Sequence, residues 1–163
     1  MLFHQQLKNK IINKESAKNI VGNLQSAGKK VVFTNGCFDI LHPGHVDYLC
    51  QARDSGDCLI VGLNTDNSVK KLNKAPNRPI NNENARAAVL AGLACIDHLV
   101  MFDEETPLEL ITFLMPNILV KGNDYTVDKI VGHDVVMAAG GSVITIPLLE
   151  GYSTTNIIKK ILS

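Results

Sequence analysis

The sequence contains no tryptophan, and aromatic residues of all kinds make up only 5% of it. Neither charge sign is in excess: Lys+Arg and Asp+Glu number 16 each. Nothing in that balance points to nucleic acid or to an anionic membrane as partner. No apolar run approaches the length of a membrane span. Met1 to Lys30 is polar and lysine-rich and lacks the apolar core of a secretion signal. These absences predict a cytoplasmic protein. The four cysteines, Cys37, Cys50, Cys58 and Cys95, form no CxxC pair. That pattern favours buried, reduced thiols over a zinc site or a disulfide. Cys37 lies in a glycine turn and reads as a small packing residue, because no base is paired with it. No residue set is assigned to a protein-held metal.

Internal repeats and low-complexity tracts are also missing. At 163 residues, with 45% hydrophobic and 20% charged content, the chain suits a single domain over residues 1–163. Residues 1–28 read as an N-terminal helical extension. Within it, Ala17, Ile20, Val21, Leu24 and Ala27 recur at helical spacing over 16–27. Strands are predicted at 30–35, 59–63, 98–102, 118–121 and 142–146, where apolar residues run continuously. Helices are predicted at 43–55, 82–93, 107–114, 128–139 and 153–162, and a polar loop at 64–79. Strands alternating with helices imply an α/β fold: a Rossmann-like, doubly wound, five-stranded parallel sheet with helices on both faces. A ligand then belongs at the carboxyl ends of the strands. The loops singled out there are 36–45, 64–79, 121–128 and 147–155.

The first strand is followed by neither GxGxxG nor GxxxxGK[ST]. Pyridine dinucleotides and Walker-type phosphoryl transfer are thereby disfavoured. In that position stands Gly36-Cys37-Phe38-Asp39-Ile40-Leu41-His42-Pro43-Gly44-His45. A glycine turn leads into a helix start that carries two histidines. Free N–H groups and the helix dipole favour an anion there, and imidazoles add donors. His42 as a helix cap and His45 as a core residue is the competing reading. At the far end of the chain, Ser153, Thr154 and Thr155 open the last helix and could cap it or face a phosphate. Lys121 ends a buried strand, either as an edge lysine or as a phosphate or ribose contact. Asp124 could meet a hydroxyl or form an Asx-turn. Lys70, Lys71 and Lys74 make a basic loop that could simply be solvated.

The segment Gly36-x-Phe38-Asp39-x-x-His42-x-Gly44-His45 resembles the signature of the cytidylyltransferase-like nucleotidyltransferase superfamily. Asn64-Thr65-Asp66, Asn77-Arg78-Pro79-Ile80-Asn81, Lys121-Gly122-Asn123-Asp124-Tyr125 and Glu150-Gly151-Tyr152-Ser153-Thr154-Thr155 extend the likeness. Together they look like the adenylyltransferases of ADP-heptose biosynthesis, over nearly all of 15–163. With no kinase segment before Met1, the stand-alone form is expected rather than the kinase fusion.

That resemblance implies transfer of AMP from ATP to D-glycero-D-manno-heptose 1-phosphate, with Mg²⁺ on the phosphates and pyrophosphate leaving. It implies catalytic roles for His42, His45, Lys121 and Arg86, the last as a phosphate clamp. It implies nucleotide or sugar-phosphate contacts from Thr34, Asn35, Gly36, Cys37, Phe38, Asp39 and Gly44, and from Asn64, Asp66, Lys71, Lys74 and Arg78. Gly122, Asp124, Tyr125, Ser153, Thr154 and Thr155 complete that set. A homo-oligomer, dimer or higher, is expected, with the N-terminal extension either at its interface or packed on its own sheet. The rivals are a CTP-dependent cytidylyltransferase of glycerol 3-phosphate or a similar small phosphate, and a non-catalytic nucleotide-binding module. Leu149-Glu150 stand where the glycerol-phosphate enzymes usually carry an arginine-threonine pair, which disfavours CTP. A flavodoxin-like carrier is disfavoured by the few aromatics and by the lack of a hydroxyl-rich loop after the first strand.

Overall fold

Continuous runs such as Val31-Val32-Phe33 and Leu59-Ile60-Val61 can be buried only if both faces of their sheet are covered. The computed structural model, which describes residues 2–72, 77–123 and 126–163, meets that demand. Its elements are α1 (Phe3–Lys8), α2 (Lys14–Ser26), β1 (Val31–Gly36), α3 (Pro43–Asp54), β2 (Cys58–Asn64), α4 (Asp66–Lys71) and α5 (Glu83–Ala91). Next come β3 (His98–Phe102), α6 (Leu108–Leu114), β4 (Ile118–Gly122), a 3-10 turn (Val127–Lys129), α7 (His133–Ala138), β5 (Ser142–Ile146) and α8 (Thr154–Leu162).

The five strands are parallel, in the order β3-β2-β1-β4-β5. Alternate residues of each strand feed two cores. Val32, Leu59, Val61, Leu99 and Val120 pack against Leu49 and Ala52 of α3 and Leu90 of α5. Val31, Phe33, Ile60, Val100 and Leu119 pack against Val21 of α2, Leu110, Ile111 and Leu114 of α6, and Val136 of α7. The chain runs outward from β1 through β2 to β3, then returns to lay β4 on the other side of β1. That reversal opens a crevice above the carboxyl ends of β1 and β4, where open α/β sheets bind ligands.

The predicted Rossmann-like sheet is present, and three local readings change. The segment 64–79 includes α4, a short helix whose N-cap, Thr65, accepts a hydrogen bond from Ser68 N at 3.1 Å. The helix read over 128–139 is split into the 3-10 turn and α7, with Gly132 at φ +89° between them. Of the cysteines, all free, Cys37 and Cys58 are buried, but Cys95 is half-buried and Cys50 lies exposed on α3. The N-terminal extension packs on its own sheet. Ile12 N donates to Leu99 O and Leu99 N to Lys10 O, at 2.9 and 2.8 Å, so residues 10–12 cover the outer edge of β3. No helix among the described residues is long and apolar enough to cross a membrane.

Candidate active site

The turn after β1 depends on a missing side chain. A Cβ on Gly36 would stand 2.9 Å from the Phe38 ring, closer than two carbons can pack. Phe38 itself takes a left-handed backbone, φ +45°, and sets its ring against the edge of His45 with 5.2 Å between centroids. Pro43 then opens α3 in its first turn. His42 holds the N-cap position of that helix, but its ring makes no capping bond. The cap is supplied by the main chain alone.

The two imidazoles stack, with centroids 3.7 Å apart and planes 19° from parallel. Nδ1 of each ring is buried and has no hydrogen-bond partner among the described residues. Burial lowers the His42 pKa from its ordinary value. Burial, then the neighbouring His42 and Arg78 charges, push His45 down to about 4, against a smaller opposing pull from the Ile40 backbone. Each shift favours the uncharged ring, which carries one N–H. A bound polyanion would raise both values, so the pair is an adjustable source of donors for phosphate.

These histidines line a cleft of about 560 Å³ across the strand ends, a volume in the range of small-molecule sites. Its lining brings together distant parts of the chain: Asn35 to Asp39, His42, Gly44 and His45, Asn64, Arg78, Lys121 and Gly122, and Ser153 to Thr155. Ser153 caps α8, accepting from Asn156 N at 3.0 Å, while Thr154 in the first turn is buried. Lys121 Nζ donates to Asn35 O at 3.4 Å. Arg78, Lys121 and Lys129 bring positive charge to this lining, that of Arg78 paired with Asp39, and Glu105 brings a negative one.

Several residues read as ligand contacts serve the frame instead. Thr34 is fully buried and shares a 2.7 Å hydrogen bond with the Tyr48 hydroxyl, which also donates to Val120 O. Arg86 is 2% exposed and does not line the cleft. Its guanidinium donates to Asn81 O at 3.0 Å, Cys37 O at 2.7 Å and Asp66 Oδ1 at 2.8 Å. With these acceptors engaged, both Arg86 and Asp66 tie the β1 turn to the segments that flank it, and Arg86 does not face the cleft in which a phosphate clamp would act. Asp39 does border the cleft, yet its buried carboxylate accepts from Arg78 Nε, Ile80 N and Asn81 N. Lys71 is half-exposed and held by Asp103, outside the cleft. Lys74, Asp124 and Tyr125 lie outside the described residues.

The cleft also has walls that the sequence reading missed. Ile130, Val131, Leu148, Leu149 and Tyr152 form an apolar side near the ends of β4 and β5. Tyr152 lies nearly parallel to His42, at 6.5 Å between centroids. Glu105, Thr106 and Pro107 enter from the loop after β3. That loop obeys the same rule as the four singled out, so the rule applied to all five strands would have included it.

Residues 33–160 match the cytidylyltransferase-like family. The chain belongs to that family. As a cytidylyltransferase-like protein it is a nucleotidyltransferase. It is 53% identical over 161 residues to the bifunctional protein HldE of Trichlorobacter lovleyi, covering 99% of this chain and 33% of that protein. Against the bifunctional protein HldE of Caulobacter vibrioides the identity is 56% over 151 residues, 93% of this chain and 31% of that one. The chain thus spans about a third of the length of the curated relatives it matches. Among solved structures, the lipopolysaccharide core biosynthesis protein of Thermoplasma volcanium is similar, with a TM-score of 0.61 and 27% identity. That likeness covers 77% of this chain and all of the other.

Proposed function

We propose that this nucleotidyltransferase transfers AMP from ATP to D-glycero-D-manno-heptose 1-phosphate, releasing pyrophosphate and forming ADP-heptose. One observation carries the reading. The stacked pair His42–His45 and the hydroxyl-bearing start of α8 line one cleft, although the sequence separates them by more than a hundred residues. A triphosphate needs donors from several directions, and those two groups supply them. The apolar side formed by Ile130, Val131, Leu148 and Tyr152 suits a flat base. The HldE relatives and the solved structure named for lipopolysaccharide core biosynthesis agree with a heptose acceptor.

In the reaction a phosphate oxygen of the sugar 1-phosphate attacks the α-phosphorus in line. The new O–P bond forms as the bond from that phosphorus to the bridging oxygen breaks, and pyrophosphate carries away the electron pair. The nucleophile is already an anion, so no side chain has to remove a proton. Catalysis is then positioning and charge stabilisation. His45 donates to the oxygens of the α-phosphate, and His42 with Lys121 neutralises the departing pyrophosphate. Thr154 and Thr155 hold the phosphate chain from the other side. Magnesium enters with ATP, bound by phosphate oxygens and water. The cleft fits that mode, because its buried carboxylate, Asp39, is already engaged by Arg78 and by main-chain N–H groups.

The test is pyrophosphate release with ATP or CTP, each paired with heptose 1-phosphate or glycerol 3-phosphate, and identification of the nucleotide product. ADP-heptose as the preferred product is expected. Preference for CTP with glycerol 3-phosphate would replace this reading by the cytidylyltransferase one.

A further inference from the structure

The cleft borders one carboxylate that the proposed reaction does not use. Glu105 stands on the loop after β3 and lines the cleft. Its carboxylate has no hydrogen-bond or ion-pair partner among the described residues. It does not cap the following helix either, since α6 starts with no side-chain cap bond.

The loop that carries Glu105 is pinned. Asp103 accepts from the Thr65 hydroxyl and, at 2.8 Å, from Asn67 Nδ2. Lys71 Nζ donates to Asp103 O at 2.8 Å. Ser68 Oγ donates to Glu104 O at 2.6 Å and accepts from Asn64 Nδ2 at 2.9 Å. Asn64 itself lines the cleft, so this chain of bonds ties the main chain just before Glu105 to the site. Glu105 itself is exposed on that loop, an unpaired negative charge at the rim of the cleft.

A carboxylate there repels phosphate. The neutral groups it can serve are hydroxyls, from which it accepts strong, charge-assisted hydrogen bonds. Resting on the sugar-phosphate reading of the site, we propose that Glu105 is a specificity-determining residue. It accepts hydrogen bonds from hydroxyls of the acceptor sugar while the histidine side of the cleft holds its phosphate. Acceptors that lack those hydroxyls leave the carboxylate unpaired beside a phosphate, and the cleft rejects them.

The test measures equilibrium binding of heptose 1-phosphate and of inorganic phosphate to the full chain and to Glu105→Ala and Glu105→Gln. Loss of the carboxylate should weaken heptose 1-phosphate about tenfold to a hundredfold. Inorganic phosphate should bind Glu105→Ala equally well or more tightly, because a repulsive charge has gone. Glu105→Gln, which keeps an acceptor oxygen, should fall between. Damage to the fold would weaken both ligands together and overturn the assignment, as would unchanged affinity for the sugar phosphate. If the unaltered chain binds heptose 1-phosphate through Glu105 yet forms no ADP-sugar, the transfer reading fails and this one stands. If the unaltered chain does not bind heptose 1-phosphate at all, both fail.

Discussion

His42 and His45 lie one helical turn apart at the start of α3, with ring centroids 3.7 Å apart and both Nδ1 atoms buried without partners among the described residues. Stacking of this kind keeps either ring from carrying a charge cheaply, since each proton would repel the other and both are partly desolvated. Both pKa values are accordingly lowered in the unliganded chain.

Replacing His45 with alanine should lower kcat/KM for AMP transfer on the order of a hundredfold, the usual loss for one donor to developing charge. The far-ultraviolet circular dichroism should be unchanged. A folded variant with full turnover would exclude His45 from the reaction.

Stability should fall on acidification. The His45 pKa drops from 6.5 to about 4 in the folded chain. Between those values the unfolded chain binds the proton and the folded chain does not, so lowering the pH favours unfolding. The effect is absent above about pH 6.5, grows as the pH falls, and is complete near pH 4. Thermal melts from pH 7 to pH 4 should show a steeper loss of Tm in the unaltered chain than in His45→Ala.

Arg86→Ala tests whether that arginine holds the frame or clamps phosphate. Its loss strands the buried Cys37 carbonyl, the Asn81 carbonyl and the Asp66 carboxylate. It should cost about 2–4 kcal/mol in denaturant unfolding. Arg86→Lys should recover little, because an ammonium cannot span three acceptors held in a fixed fork. A phosphate clamp would behave differently, losing turnover at unchanged stability.

Gly44→Ala should separate activity from stability in the opposite sense. An added Cβ would meet the His42 ring at 3.2 Å and Tyr152 Cβ at 3.3 Å. His42 must shift by a few tenths of an ångström, which should reduce kcat by about tenfold or more. Alanine in a first helical turn loses less backbone entropy than glycine, so Tm should hold or rise slightly. Steady-state kinetics alongside a thermal melt decide this.

Much of the architecture was legible because strand and helix signals are local. The bounds of β3 and β5 coincide with the apolar runs His98–Phe102 and Ser142–Ile146, and α3 begins at Pro43 as expected. The short α4 was missed because six residues are too few for a helical period to emerge from a polar loop. That His42, Gly44, His45 and the serine–threonine run line the cleft was legible for a similar reason. Each belongs to a helix start, and a helix start is announced by its own neighbours.

Side-chain direction is another matter. Arg86 reads in sequence as a cation near a phosphate site, yet it points inward because Cys37 O, Asn81 O and Asp66 surround it. Glu105 belongs to no motif; the strand-end rule reaches its loop, and Ser68, bonded to Glu104 O, holds that loop beside the cleft. The order of residues alone determined the parallel sheet, its two covered faces and the glycine turn that opens onto α3, since all three follow from periodicity and chain chirality over short spans. Which polar groups face the ligand and which are consumed holding the frame was decided in three dimensions. A hydrogen bond is satisfied by whichever partner the fold brings within about 3 Å, and sequence distance carries no record of that.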